Sequence, residues 1–220
     1  MIKISILIPV YNEEATIIYL LKSVQKEISK IKTVTFEIIV IDDCSKDNTS
    51  KLLKENGNLY NHMISLEKNQ GKGGAILQGL EKAKGEYILF QDADLEYSPK
   101  DYKTLIRPIV DFDVDVVMGS RFLAPQFTRV HYFWHKVGNW GLTLIFNILN
   151  NTTFTDIYSC YLIYRKSLVP LENIKTIGWE QHGEILSLAI KKGEVFFEVP
   201  ITYRGRSYHE GKKIRGFHIF

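Results

Sequence analysis

Short runs of aliphatic and β-branched residues alternate along this chain with stretches of helical period. Ile4–Ile8, Phe36–Ile41, Met63–Leu66, Tyr87–Phe90 and Val114–Met118 predict strands, several of them apolar almost throughout, as strands covered on both faces are. Pro9 is expected to end the first. A helix is predicted from Asn12-Glu13-Glu14, with Ile17, Leu20, Leu21 and Val24 on one broad side and Asn12 placed to cap it. A second helix is predicted over Thr49–Lys54. Gly71-Lys72-Gly73-Gly74 reads as a loop leading into a helix over Ala75–Ala83. Ser98-Pro99, a cap followed by proline, opens another helix to Ile109. Later come a strand-like Tyr161–Tyr164, a helix near Gln181–Ile190 and a strand over Val195–Val199. This order predicts an α/β fold, with a mainly parallel, Rossmann-like central sheet flanked by helices.

Residues 129–151 have a different texture: aromatic and basic first, then strongly apolar from Trp140 to Phe146. Two readings stay open there. One is an amphipathic helix laying Trp140, Leu144 and Phe146 in lipid, with Arg129, His131 and Lys136 toward headgroups. The other is ordinary core or dimer packing. No run of eighteen apolar residues is present, and the N-terminus reads as a core strand rather than a signal peptide. The expectation is a cytoplasmic protein, with a peripheral membrane surface or a membrane partner as an option.

A length of 220 residues with 45% hydrophobic content suits a single domain with a sizeable core. The net charge of +3 is too mild for a nucleic-acid face. Basic residues gather late, at Lys191, Lys192, Arg204, Arg206, Lys212, Lys213 and Arg215, a pattern suited to an anionic ligand or phospholipid. Cys44 and Cys160 lie far apart without ligand spacing and read as reduced thiols. Oligomeric state is left open.

The candidate chemistry falls at predicted strand ends. Asp92 and Asp94 follow Tyr87–Phe90 with Ala93 between them, so an extended backbone points both acids to one face. Such a pair suits Mg²⁺ or Mn²⁺, with diphosphate oxygens and water completing the coordination, and Glu96 could join. Asp42 and Asp43 close the second strand, where one acid could accept from a base or ribose and the other order the turn. Asp47, Asn48 and Thr49 read as capping residues. After the first strand, Tyr11 could stack on a base, and Glu13 could contact it or start the helix. The glycine-rich segment lacks Walker spacing, although Lys72 could reach a phosphate or simply face solvent. Arg121, after Gly119-Ser120, has the geometry to bind an anion. The histidines form no tight metal motif, and Glu180 and Glu184 are a weak pair beside His182.

In order and spacing these pieces resemble the family 2 inverting glycosyltransferases, especially the dolichyl- or polyprenyl-phosphate sugar transferase branch. The similarity rests on Ile8–Glu13, Val40–Thr49, Gln91–Leu95, Gly119–Phe122, Glu198–Ile201 and Tyr203–Ser207. It implies a GT-A fold, with residues 1–120 binding the nucleotide sugar and residues 121–220 the acceptor. It implies that Pro9, Tyr11, Glu13 and Asp42 surround the nucleoside, and that Lys72 and Ala93 belong to the donor site. Asp92 and Asp94 would hold the metal and diphosphate, with Asp94 and Arg121 catalytic. Ser120 and Arg121 would receive an acceptor phosphate, and Arg206 and Lys212 would cover the leaving diphosphate. The implied reaction moves a hexose from a GDP-mannose or UDP-glucose type donor to polyprenyl phosphate. A carbohydrate hydroxyl acceptor, with Glu180 (or its rival His182) as general base, is the alternative. Trp179-Glu180-Gln181-His182 departs from the branch's usual glycine–phenylalanine and acidic combination, which leaves sugar and acceptor open. A sugar nucleotidyltransferase is more remote, because Pro9–Glu13 stands where its glycine-rich loop would be. A non-catalytic nucleotide-sugar sensor is the last option.

Overall fold

A computed structural model describes residues 1–123 and 133–205. Its strands are β1 (Lys3–Val10), β2 (Thr35–Asp42), β3 (His62–Ser65), β4 (Tyr87–Phe90), β5 (Val116–Ser120), β6 (Leu162–Arg165) and β7 (Phe196–Pro200). Its helices are α1 (Ile17–Ile28), α2 (Thr49–Glu55), α3 (Gly71–Lys82), α4 (Tyr102–Phe112), α5 (Phe133–Asn150) and α6 (Gln181–Lys192). The strands form one seven-stranded sheet in the order β3-β2-β1-β4-β6-β5-β7. All pairings are parallel except those of β6, which runs antiparallel to both β4 and β5.

Parallel strands joined by helices are covered on both faces, which accounts for the unbroken burial of Tyr87–Phe90 in β4. Ile17, Leu20, Leu21 and Val24 of α1 enter the core, as their spacing predicts. β1 continues past Pro9, because its pairing with β4 stops at Leu7 and the missing proline N–H interrupts no bond on that side.

Several element ends move. Helix α1 starts at Ile17, so Asn12 does not cap it; its Oδ1 accepts from Lys46 N instead (2.7 Å). Pro99–Asp101 forms a 3-10 turn ahead of α4, with Ser98 Oγ accepting from Lys100 N. β5 lies two residues later than the apolar run suggests, its register set by pairing with β6 and β7.

The glycine-rich segment is not a loop. Helix α3 begins at Gly71, whose positive φ of 76° turns the chain into the first helical turn. Gly73 is needed for contact: a Cβ there would fall 2.2 Å from Ile177 O. Gln181 Nε2 then donates to Gly73 O (3.1 Å) and Thr176 O (2.8 Å), tying the starts of α3 and α6 together.

At the amino-terminal rim of the parallel strands, Arg165 of β6 meets Asp115, Glu86 and Asp113 and lies over the Tyr87 ring. This cluster stitches the antiparallel strand into the sheet, far from the opposite rim where the candidate acids stand.

Gly73→Ala should lower unfolding stability by about 2 kcal/mol through overpacking against Ile177. Urea denaturation followed by circular dichroism will measure this.

Candidate functional site

Adjacent strands β2, β1 and β4 end together, so the loops after Asp42, Val10 and Phe90 share one rim. Each of those loops carries a non-glycine residue with positive φ: Asn12 (52°), Cys44 (61°) and Leu95 (64°). Left-handed backbone at such residues is unfavourable and persists where surrounding bonds impose it, commonly at functional loops. Here the bonds are visible. Asn12 N donates to Ser45 Oγ, Glu13 N to Thr49 Oγ1, and Glu14 N to Asp47 Oδ2. Asp47 Oδ1 also accepts from Thr49 N, so Asp47 and Thr49 order the loop, while Asn48 makes no side-chain cap. Asp42 Oδ1 accepts from Ser45 N (3.0 Å) and Asp43 Oδ1 from Gln70 N (2.7 Å), the latter fixing the approach to α3. Pro9, Tyr11, Glu13 and Asp42 thus occupy the rim beside the acid loop.

Beyond β4 the two-residue alternation holds: Asp92 and Asp94 face a cleft of about 150 Å³, while Ala93 between them is buried. Gln91 anchors the loop from below. Its Oε1 accepts from Tyr102 and Tyr161 hydroxyls, both at 2.8 Å, and its Nε2 donates to the Asp92 and Tyr97 carbonyls. Asp94 Oδ1 accepts from Glu96 N, and Tyr203 donates its hydroxyl to Glu96 (2.7 Å). Tyr203 also bridges to Tyr97, which brings the segment after β7 against the acid loop.

Lys72, on the first turn of α3, reaches Asp92 at 2.5 Å. Burial works against its ammonium, but contact with Asp92 outweighs that and holds the group charged. Burial likewise opposes the Asp92 carboxylate, yet Lys72 and the Cys160 thiol draw its pKa below the ordinary value. Lys72 therefore lines the cleft with the acids and does not face solvent from a loop. Among the described residues no group of three or more His, Cys, Asp or Glu side chains could hold a metal. The two carboxylates still fit a hard cation that takes its remaining ligands from a diphosphate and water.

Across the cleft, Arg121 makes a bidentate pair with Asp156, 2.6 Å from Nε and 2.8 Å from Nη2. Its guanidinium also sits over the Tyr203 ring. Asp156 is fully buried and takes a further bond from Asn139 of α5 (3.2 Å). Glu198 of β7 accepts from Thr155 N and Asp156 N, bracing this pair from behind. Ser120 is buried and does not line the cleft; its Oγ accepts from Phe122 N and Leu123 N and meets Thr155 Oγ1. Its hydroxyl shapes the turn that presents Arg121.

Glu180 stands exposed at the start of α6, with Oε1 accepting from Gly178 N (3.2 Å), and is not among the cleft-lining side chains. Glu184 folds back onto Lys175 N and Thr176 N. His182 does line the cleft, its ring 5.9 Å from that of Phe90. Burial, and secondarily the Lys72 charge, push its pKa down to about 3. Arg206 and Lys212 lie outside the described residues, as do Arg129 and His131. Asp156 and Cys160 carry no motif signal of their own, and Gln91, though it opens the Gln91–Leu95 motif, gives no sign there of its anchoring role.

A seven-stranded sheet of this order, with acids at the carboxyl rim, is the architecture of nucleotide-diphosphosugar transferases of the GT-A type. The sequence model for Glycosyl transferase family 2 matches residues 5–170, and the chain belongs to that family: it is a glycosyltransferase. It is 32% identical to the UDP-N-acetylglucosamine–dolichyl-phosphate N-acetylglucosaminyltransferase of Methanococcus voltae, over 99% of this chain and 93% of that one. It is 28% identical to the dolichol-phosphate mannosyltransferase of Pyrococcus furiosus, across 96% of this chain but only 60% of the longer enzyme. Among solved structures, Mycobacterium tuberculosis glucosyl-3-phosphoglycerate synthase superposes with a TM-score of 0.69 at 19% identity, covering 95% of this chain and 75% of that one. That likeness establishes the shared fold.

Asp156→Asn should cost about 3–5 kcal/mol of stability, because it leaves the Arg121 charge without its buried counter-ion; chemical denaturation will read it. The depressed His182 pKa sets a second expectation. Between about pH 3 and 6.5 the unfolded chain binds a proton at this histidine that the folded chain does not. Stability contributed there is complete above pH 6.5 and falls as the pH drops toward 3. His182→Gln should flatten the stability–pH curve across that window by up to about 1.4 kcal/mol per pH unit. Paired denaturation series at stepped pH will show whether it does.

Proposed function

We propose that the protein transfers a hexosyl unit, with inversion, from a nucleoside-diphosphate sugar to the phosphate of a polyprenyl phosphate. The observation that carries this is a guanidinium, Arg121, held rigidly beside the acid pair in one cleft and joined through Asp156 to an apolar helix. Helix α5 exposes Trp134, Trp140, Ile145, Ile148 and Leu149 and contains no acidic residue. A surface of that character suits an isoprenoid chain or the bilayer that carries it. No helix among the described residues is long and apolar enough to cross a membrane. The names of the Methanococcus and Pyrococcus relatives, both dolichyl- or dolichol-phosphate enzymes, support the same acceptor.

In this reading Pro9, Tyr11, Glu13 and Asp42 hold the nucleoside, and Lys72, Asp92 and Asp94 frame the diphosphate. Asp94 with Asp92 would hold Mg²⁺ or Mn²⁺, which when bound supplies charge to offset the departing diphosphate. Arg206 and Lys212 are assigned to cover that leaving group. Arg121 orients the acceptor phosphate toward the anomeric carbon. A phosphate monoester with a second pKa of about 6 is already a dianion near neutral pH, so attack needs no general base. Positioning and preorganised charge then supply most of the acceleration. This agrees with Glu180 lying on the exposed rim.

A carbohydrate hydroxyl acceptor is the second reading. Tyr158, which lines the cleft, feels the Glu180 charge, so Glu180 lies close to the mouth. A hydroxyl acceptor reaching that far would find a base there.

Turnover of UDP-N-acetylglucosamine, UDP-glucose and GDP-mannose with Mn²⁺ and a short polyprenyl phosphate tests the proposal. Asp94→Asn, like removal of the cation with EDTA, should lower kcat by about 100-fold or more. Glu180→Gln should leave the rate within about threefold, as expected for a group outside the reacting centre. Undiminished turnover in Asp94→Asn and in EDTA would reject the donor site. Collapse in Glu180→Gln with donor binding retained would transfer the assignment to a hydroxyl acceptor.

A further inference from the structure

Buried polar atoms normally find a partner, and a folded chain keeps few exceptions. Among the described residues five buried side-chain atoms have none: Thr143 Oγ1, Ser159 Oγ, Tyr164 OH, Gln181 Oε1 and His182 Nε2. Three of these, Ser159, Gln181 and His182, line the cleft that holds Asp92, Asp94 and Arg121. They come from two separate segments, the stretch before β6 and the first turn of α6, so no single loop accident accounts for them.

Their orientation is imposed. Gln181 Nε2 donates to two carbonyls, Gly73 O and Thr176 O, so rotating the amide would set its oxygen against both acceptors. Oε1 is therefore left as an acceptor without a donor. The His182 ring is packed against Phe90, and Ser159 is fully buried between cleft residues Tyr158 and Cys160. The set offers an acceptor from the amide, a rotatable hydroxyl and an imidazole nitrogen. A neutral polyol with hydroxyl groups on several sides satisfies such a set, whereas a phosphate presents acceptors alone and leaves Gln181 Oε1 unmatched.

We infer that Ser159, Gln181 and His182 form the subsite for the donor's sugar ring and set which hexose the protein accepts. The inference rests on the nucleotide-sugar reading above and adds to it the residues that read the sugar. Each hydroxyl that fills one of these positions removes a buried unsatisfied group, which gives the site its power to reject a sugar lacking it.

Isothermal titration in Mn²⁺ compares UDP with UDP-N-acetylglucosamine and UDP-glucose, and GDP with GDP-mannose, on the wild-type chain and on Ser159→Ala and His182→Leu. Gln181 is spared because its Nε2 holds the backbone of α3. The wild-type chain should bind one sugar nucleotide more tightly than its bare nucleotide. Each variant should cut that preference about tenfold while leaving bare-nucleotide affinity within a factor of two. Ser159→Ala should melt no lower than wild type, since it removes a hydroxyl with no internal partner. Preference unchanged in both variants overturns the inference while the donor-site reading stands. An equal loss of bare-nucleotide affinity also overturns it, assigning these residues to the nucleotide instead. Absence of any nucleotide binding by the wild-type chain sinks both readings together.

Discussion

The contact between Lys72 and Asp92 is the interaction on which the cleft depends. A carboxylate drawn from water at the end of a central strand is costly unless a cation meets it. Lys72 supplies that cation from the first turn of a helix that reaches the acid by three devices: the positive φ of Gly71, the bare Cα of Gly73 against Ile177, and the Gln181 amide on Gly73 O. Those devices also place α6 beside β4, so the ion pair and the polar wall of Gln181 and His182 form together. Gln91, held by two tyrosine hydroxyls, keeps the acid loop at the height where Lys72 can meet it.

The opposite wall is built by relay. Glu198 on β7 holds the Thr155–Asp156 backbone, Asp156 grips Arg121, and Asn139 brings α5 to the same carboxylate. A guanidinium with two of its nitrogens engaged loses little further freedom when an anion arrives, which favours orientation of a phosphate. Because Asn139 joins that relay, the exposed apolar side of α5 begins next to the charge it would serve. The strained positions Asn12, Cys44 and Leu95 show a related economy: each lies in a loop whose shape is imposed by neighbouring strands.

Much of this was legible residue by residue. The apolar runs located all seven described strands to within a few positions, and Asp92 and Asp94 read as acids sharing one face, whereas Ala93, placed in the donor site by resemblance, packs in the core and does not line the cleft. What escaped notice has a common cause. Lys72 looked like a loop lysine because glycines disfavour helix locally, and only packing against Ile177 makes Gly73 a helical asset. Ser120 is assigned to an acceptor phosphate only through the family resemblance; its hydroxyl accepts from Phe122 N and Leu123 N and closes the turn. Glu180 is a base candidate only through the family resemblance and only for a hydroxyl acceptor; where its carboxylate stands, accepting from Gly178 N, depends on how helix α6 begins.

By itself the sequence determined the alternation of strands and helices, the clustering of acids at strand ends and the family to which the chain belongs. These follow from hydrophobic period and local motif, both properties of neighbouring residues. Only the tertiary structure decided which acid carries a lysine, that Arg121 is clamped by Asp156, and that Ser159, Gln181 and His182 share one cleft with Ser159 Oγ, Gln181 Oε1 and His182 Nε2 unpartnered. Such pairings join residues distant along the chain, and whether a polar atom is satisfied depends on everything packed around it.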